Sequence, residues 1–215
     1  MALRPHGLRT LALGLGTLAA TVAAMGSTAA AANAALGVAC PDPTTQPFAQ
    51  WSDDSYYALA PDGGLENGSA GWTLTGGARV VSGNESFAVS GPGSHSLSLP
   101  AGSSATTPPM CIGLISTKMQ TFISNSGAAG SKLHVQAIYG GGVGGLLGGL
   151  GSSLGLSDEG TYAATGAWRP LPLPVWLLGG TAPLLTQYVQ FRFTPLSAGG
   201  NWRIDDVYLD PLMHR

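Results

Sequence analysis

Charge is scarce in this chain: Asp, Glu, Lys and Arg together make up 9% of its 215 residues. With no basic patch there are none of the clustered Lys and Arg side chains that phosphate neutralisation requires, so a nucleic-acid partner is excluded. The helix formers Glu and Lys are scarce, and no stretch of useful length repeats apolar residues every 3.6 positions, which excludes long amphipathic helices. Histidine is sparse as well. His6 and His214 lie near the ends, and His95 and His134 have no Cys, His or carboxylate at ligand spacing, so a zinc site is not expected. Cysteine is limited to Cys40 and Cys111.

What is present is glycine (33 residues) and proline (15), with abundant Ser and Thr, the composition of a β-rich exported protein. Arg4 and Arg9 give a basic start, Leu11 to Met25 is apolar, and Ala32-Asn33-Ala34 supplies a small-x-small cleavage pattern. Residues 1–34 are therefore expected to be a secretion signal, leaving no transmembrane helix in the mature chain and a secreted or cell-surface location. Removing Arg4 and Arg9 takes Lys plus Arg from 9 to 7 against 11 Asp plus Glu, a net charge of -4. In an exported chain Cys40 and Cys111 most simply form one disulfide, worth roughly 4 kcal/mol in chain-entropy terms. A lipidated Cys40 is the weaker alternative, because Gly37 stands where a lipobox wants Leu.

Residues 35–64 are expected to form an N-terminal arm packed on a single domain, 65–215. Within the domain short strand candidates alternate with Gly, Pro and Asn turns: Trp72 to Leu74, Arg79 to Val81, Ser86 to Val89, Ser96 to Leu99 and Met110 to Leu114. Lys118 to Ser124, Leu133 to Tyr139 and Tyr188 to Thr194 are clearer strands, each with an apolar side and a second side. Trp168 to Pro174 is expected at a sheet edge because its prolines cannot donate to a central ladder. The even spacing predicts an all-β sandwich or barrel. The Gly/Leu-rich stretch 140–160 is expected to be a loop, with its leucines available to a partner in the cell envelope.

Apparent motifs within that stretch fail on context. Gly140-x-Gly142-x-x-Gly145 has no following helix to receive a pyrophosphate, and the Gly151 to Gly155 match to a nucleophile elbow lacks its strand-turn-helix setting. The carboxylate pairs Asp53-Asp54, Asp158-Glu159 and Asp205-Asp206 are adjacent in sequence, whereas glycosidases place two carboxylates on opposite sides of a bond. No catalytic residue and no catalytic cofactor is expected, and a hydrolase is the least favoured class.

Two site expectations remain. If the three clear strands are neighbours, Gln120, His134, Gln136, Tyr188, Gln190 and Arg192 share one face with Phe122, a mixture of amides, aromatics and a guanidinium suited to sugar hydroxyls. An exposed sheet face carries polar residues in any case. Asp205 and Asp206 suit a hard cation such as calcium that pins the first strand to the last, with Glu66 as the second donor.

Gly64-Leu65-Glu66, Gly71-Trp72, Ser96-Leu97-Ser98-Leu99 and Trp202-x-Ile204-Asp205-Asp206-Val207 resemble the start, middle and end of galactose-binding-like jelly rolls, the fold of many carbohydrate-binding modules. That resemblance implies a Glu on the first strand and an Asp on the last holding a structural calcium, with Leu65 standing where the family has Phe. Cys40 to Trp51, Tyr57-Ala58-Leu59, Gly71 to Gly77, Ser82 to Glu85, Leu99 to Ser104 and Phe191 to Pro195 are similar to a group of secreted proteins of actinobacterial type. That likeness implies a jelly roll and export and brings no activity. The expectation is thus a secreted, non-catalytic binding protein for a glycan or cell-surface component. The alternative is a structural or protein-interaction role in the envelope.

Overall fold

The computed structural model describes residues 43–112, 117–141, 155–175, 187–196 and 199–210. The proposed signal, Cys40 and most of the Gly/Leu-rich stretch lie outside the described residues. Among the described residues twelve strands form two antiparallel sheets. They are β1 (Ala58–Leu59), β2 (Thr73–Thr75), β3 (Arg79–Ser82), β4 (His95–Pro100), β5 (Ser104–Thr106), β6 (Met110–Ile112), β7 (Thr117–Asn125), β8 (Leu133–Gly141), β9 (Gly155–Tyr162), β10 (Arg169–Val175), β11 (Gln187–Pro195) and β12 (Asn201–Asp210). One sheet has the order β10-β7-β12-β4-β3 with β1 added on β12; the other has β2-β5-β11-β8-β9 with β6 added on β11. Helical structure among the described residues is a single 3-10 turn, Ala49–Trp51, and no helix there is long and apolar enough to cross a membrane.

The core lies between the sheets. Alternation along β8 and β11 sends Leu133, Val135, Ala137, Val189, Phe191 and Phe193 inward, where they meet Leu97, Leu99, Met119, Ile123, Trp202 and Ile204 of the first sheet. Each such side chain contributes about 1.5–3 kcal/mol on burial, so these two faces specify the strand registers. Trp202 is fully buried and still donates its indole N–H to Ser131 Oγ at 2.9 Å, as a buried indole must.

The outer face of the first sheet is closed by the arm. Phe48, Tyr57, Phe122 and Tyr208 form a second buried cluster, with Trp51, Val89 and Trp168 packed against it. Phe48 sits at its centre, with ring centroids 5.2 Å from Tyr57 and 5.5 Å from both Phe122 and Tyr208. Beneath the rings, Asp53 accepts from Tyr57 Oη at 2.7 Å and also binds Lys118 Nζ and Gln120 Nε2. A turn continues the fastening, with Ala60 N–H donating to Val207 O at 2.8 Å and Val207 N–H to Gly63 O at 3.2 Å. A Cβ at Gly63 would lie 2.7 Å from Val207 O, so only glycine permits this approach.

Three expectations need correction here. Ser86 to Val89 is a bend rather than a strand; its N–H groups turn back onto the Glu85 carboxylate, with Val89 N–H to Oε1 at 3.0 Å and Phe87 N–H to Oε2. The end of the Gly/Leu-rich stretch is not loop but part of β9, the edge strand beside β8. Glu66 lies in a turn and not at the start of a strand. The proline-bearing segment is the edge strand β10. Pro170, Pro172 and Pro174 stand two apart, so their missing donors all fall on one side of the strand, as an edge position allows.

Candidate functional site

The structure separates the expected binding residues into two groups. Gln120 and Phe122 belong to β7 in the covered sheet; Gln120 is 3% exposed and its amide also donates to Tyr57 Oη at 3.1 Å. They do not share a face with the others, because β7 and β8, consecutive in sequence, lie in different sheets.

His134, Gln136, Tyr188, Gln190 and Arg192 do come together, on the outer face of the second sheet. Pairing places Thr194 opposite His134, Arg192 opposite Gln136, Gln190 opposite Ile138 and Tyr188 opposite Gly140. The register continues across the whole sheet: Thr73 faces Thr106, Thr106 faces Arg192, Arg192 faces Gln136, and Gln136 faces Asp158. One polar row therefore crosses five of the sheet's six strands, spanning about 19 Å at the usual interstrand spacing. A parallel row holds Gln190, Ile138 and Leu156, the last 62% exposed. No apolar cluster among the described residues packs on this face.

Several groups on it are already oriented. Gln190 Nε2 donates to Thr107 O at 3.0 Å, which fixes the amide plane, and Thr107 is itself buried with its hydroxyl accepting from Phe191 N–H at 2.9 Å. Arg192 Nε reaches Thr106 Oγ1 at 3.5 Å. His134 Nε2 lies 3.0 Å from Asp158 Oδ1. Asp158 is held below the usual carboxylate range first by the N–H of Gly160 and then by His134. Thr73, Thr106 and Asp158 were missed in the sequence; only the pairing register joins residues so far apart along the chain.

The expected metal residues are also divided. Asp205 and Asp206 are both fully buried, although neighbours on a regular strand would point to opposite faces. The β12–β7 register shifts between Asp205 and Tyr208, and Asp206 has φ 50°, a left-handed conformation that Asp tolerates. Asp205 Oδ2 accepts from Glu85 N–H at 2.8 Å and Asp206 Oδ2 from Ser90 N–H at 3.3 Å, so both hold the 85–90 loop. Burial pushes Asp205 up to about 8, opposed by the Glu85 N–H and reinforced by Asp206; burial likewise pushes Asp206 up to about 6. Glu85, 3% exposed, is the third carboxylate of this cluster and was missed because the sequence around it reads as a turn.

Glu66 is elsewhere engaged. Its carboxylate accepts from Ser94 N–H at 2.8 Å, His95 N–H at 2.9 Å and Ser94 Oγ at 3.0 Å, beside His95 Nδ1 at 3.1 Å. Burial would raise its pKa, but the bonds from His95 and Ser94 outweigh that and hold it at about 2.

Oxygen chemistry around the cluster fits a hard cation in part. Asp206 Oδ1 is buried and has no hydrogen-bond partner. It faces a space that a Cβ would fill: at Gly64, a Cβ would lie 3.1 Å from this oxygen and 3.5 Å from Ser90 Oγ. Yet among the described residues no three His, Cys, Asp or Glu side chains converge at metal-binding distance, so a cation here would draw on hydroxyl or backbone oxygens too.

No family model and no curated protein matches the chain. Solved structures do. A Clostridium thermocellum xylanase 10B fragment (CBM22-1 and GH10 modules) complexed with xylohexaose is similar at TM-score 0.50 and 13% identity, covering 75% of this chain and 29% of that one. The CBM22-1 xylan-binding domain of Paenibacillus barcinonensis Xyn10C is similar at TM-score 0.46 and 15% identity, covering 74% and 99%. A CBM61 module in complex with β-1,4-galactotriose gives TM-score 0.42 and 17% identity, covering 70% and 96%. The chain thus spans under a third of the first of these. At these identities the likeness is one of fold, an antiparallel β-sandwich of the kind found in carbohydrate-binding modules.

Proposed function

We propose that this protein is a non-catalytic glycan-binding protein and that it holds an extended saccharide across the outer face of the β2-β5-β11-β8-β9 sheet. The observation that carries this reading is an asymmetry: the arm closes one outer face, and the other bears a polar row crossing five strands. The hydroxyls of Thr73 and Thr106 and the amide of Gln136 in that row, with the Gln190 amide in the next, suit vicinal sugar hydroxyls. Tyr188, opposite Gly140 on one side and Cys111 on the other, offers a ring for stacking. The row contains a single carboxylate among the described residues, Asp158, and it is bonded to His134; two-carboxylate hydrolysis needs a second. Likeness to modules whose structures contain xylohexaose and galactotriose adds support from fold.

The test compares two variants with the unaltered protein on a glycan array and by titration with the best ligand. Gln136→Ala with Tyr188→Ala should weaken binding at least tenfold, the order expected for a lost ring contact plus a lost hydrogen bond, with the melting temperature little changed. Gln120→Ala should do the opposite: binding unchanged and stability lower by about 1–3 kcal/mol, because Asp53 and Tyr57 lose a buried partner. Absence of binding by the unaltered protein, or equal loss from both, would overturn the assignment.

The jelly-roll likeness, export after residue 34, a Cys40–Cys111 disulfide and one calcium at Asp206 with Asp205 or Glu66 belong to the same proposal. For the disulfide, the exported protein should have an intact mass lighter by the hydrogens of two thiols, and alkylation before reduction should add nothing. A reactive thiol under denaturing conditions would refute the pairing.

A further inference from the structure

Among the described residues of the polar row, Arg192 is the one cation, and no ion pair neutralises it. Arg192 sits midway along the polar row, half-buried, and the only hydrogen bond its guanidinium makes among the described residues is the long one from Nε to Thr106 Oγ1. Among the described residues no carboxylate lies within ion-pair reach of it. Asp158, in the same row, is two strands away, about 10 Å at sheet spacing, and is committed to His134 and Gly160. Partly desolvating a guanidinium without a counter-ion costs free energy, so its place at the centre of a row whose one carboxylate is committed elsewhere calls for a ligand that supplies the charge.

Resting on the glycan-binding reading above, we infer that the saccharide is a uronate-bearing glycan and that Arg192 receives the sugar carboxylate. The two terminal nitrogens of a guanidinium form a planar fork that matches a carboxylate in bidentate fashion. The flanking side chains suit the hydroxyls beside that carboxylate. Gln136, directly opposite, makes no hydrogen bond of its own among the described residues, and Gln190 has its amide oxygen turned free by the bond its nitrogen makes to Thr107. A sulfated glycan fits less well. It brings dense charge, and the described strands of this sheet offer one uncommitted cation on the face, since His134 is tied to Asp158 and Lys132 lies just ahead of β8.

The experiment uses matched polysaccharide pairs that differ only at the carboxyl group: polygalacturonate, glucuronoxylan and alginate, each beside its methyl-esterified or carboxyl-reduced form, with heparin as the sulfated probe. Titration of the full mature protein should show at least one acid form binding about 10- to 100-fold more tightly than its neutral counterpart, the range for a hydrogen-bonded charge. Arg192→Gln should weaken the acid form far more than the neutral form, bringing that ratio close to one, and Arg192→Lys should restore only part of it. Circular dichroism would confirm that both variants are folded. Equal affinity for acid and neutral forms, or a stronger response to heparin, overturns the uronate assignment and leaves the glycan-binding reading standing. Binding of no glycan in any form overturns both.

Discussion

Replacing Phe48 with alanine should lower the melting temperature by roughly 6–20 °C. The side chain is fully buried and touches Trp51, Tyr57, Phe122 and Tyr208. Truncating a buried Phe costs about 3–5 kcal/mol, and a domain of this size loses about 2–4 °C per kcal/mol. The loss has a directional consequence. Phe48 holds the arm over the outer face of β7 and β12, so its removal exposes Phe122 and Tyr208 on a sheet whose last strand, β10, already lies at an edge. The variant should therefore also aggregate at lower temperature than it unfolds in dilute solution. Leu59→Ala is the control: Leu59 lies in the same arm at 43% exposure and should shift the midpoint by no more than about 2 °C. Equal small shifts for the two variants would show that the arm is not energetically fastened. Glycan affinity measured well below the midpoint should be unaffected in both, since the proposed face belongs to the other sheet.

Why the two faces were confused in the sequence follows from what alternation encodes. A period of two says which side chains of a strand share a side, and for β7, β8 and β11 it placed the inward apolar residues correctly. It does not say to which sheet a strand belongs. The link from Asn125 to Leu133 carries the chain from one sheet to the other, so Gln120 and His134 ended on opposite surfaces of the sandwich. Phe122 was the legible warning. A large aromatic on the supposedly exposed side of a strand asks for a cover, and the arm that begins with Phe48, Trp51 and Tyr57 provides it.

Where the sequence was silent, the missing information is three-dimensional. Strand β9 begins in a glycine-rich stretch and includes Asp158 and Glu159, residue types that strands disfavour, and only pairing with β8 makes it a strand. Glu85 looks like any turn carboxylate until its oxygens are found on Phe87 N–H and Val89 N–H and its own N–H on Asp205. Adjacent Asp205 and Asp206 read as pointing apart, and a bulge with a left-handed residue at Asp206 is what turns both inward. The strand-end likenesses therefore located the junction between the start and the end of the domain, while the partner of the aspartates there is chiefly the 85–90 loop, with Glu66 one turn removed on Ser94 and His95.

That junction sets the second large effect, a dependence of stability on pH that calcium should reverse. Asp205 and Asp206 are both raised in the folded chain, to about 8 and about 6, chiefly by burial. A carboxyl group whose folded pKa exceeds its unfolded value binds its proton more tightly when folded. Its contribution is present at low pH and is lost as pH rises from near 4 through the folded value. In chelator, the melting temperature should therefore fall between pH 5 and pH 8, by an amount corresponding to a few kcal/mol. A cation bound at Asp206 would stabilise the ionised forms instead. Millimolar calcium at pH 8 should raise the midpoint, growing with concentration as mass action requires, and should flatten the pH profile. Asp206→Ala should abolish the calcium response, because it removes the oxygen that faces Gly64 and Ser90. Glu66→Ala should abolish it only if that carboxylate leaves Ser94 and His95 to join the ion. A melting temperature indifferent to calcium at pH 8, beside the expected fall in chelator, would leave the three carboxylates as hydrogen-bond acceptors for the 85–90 loop and nothing more.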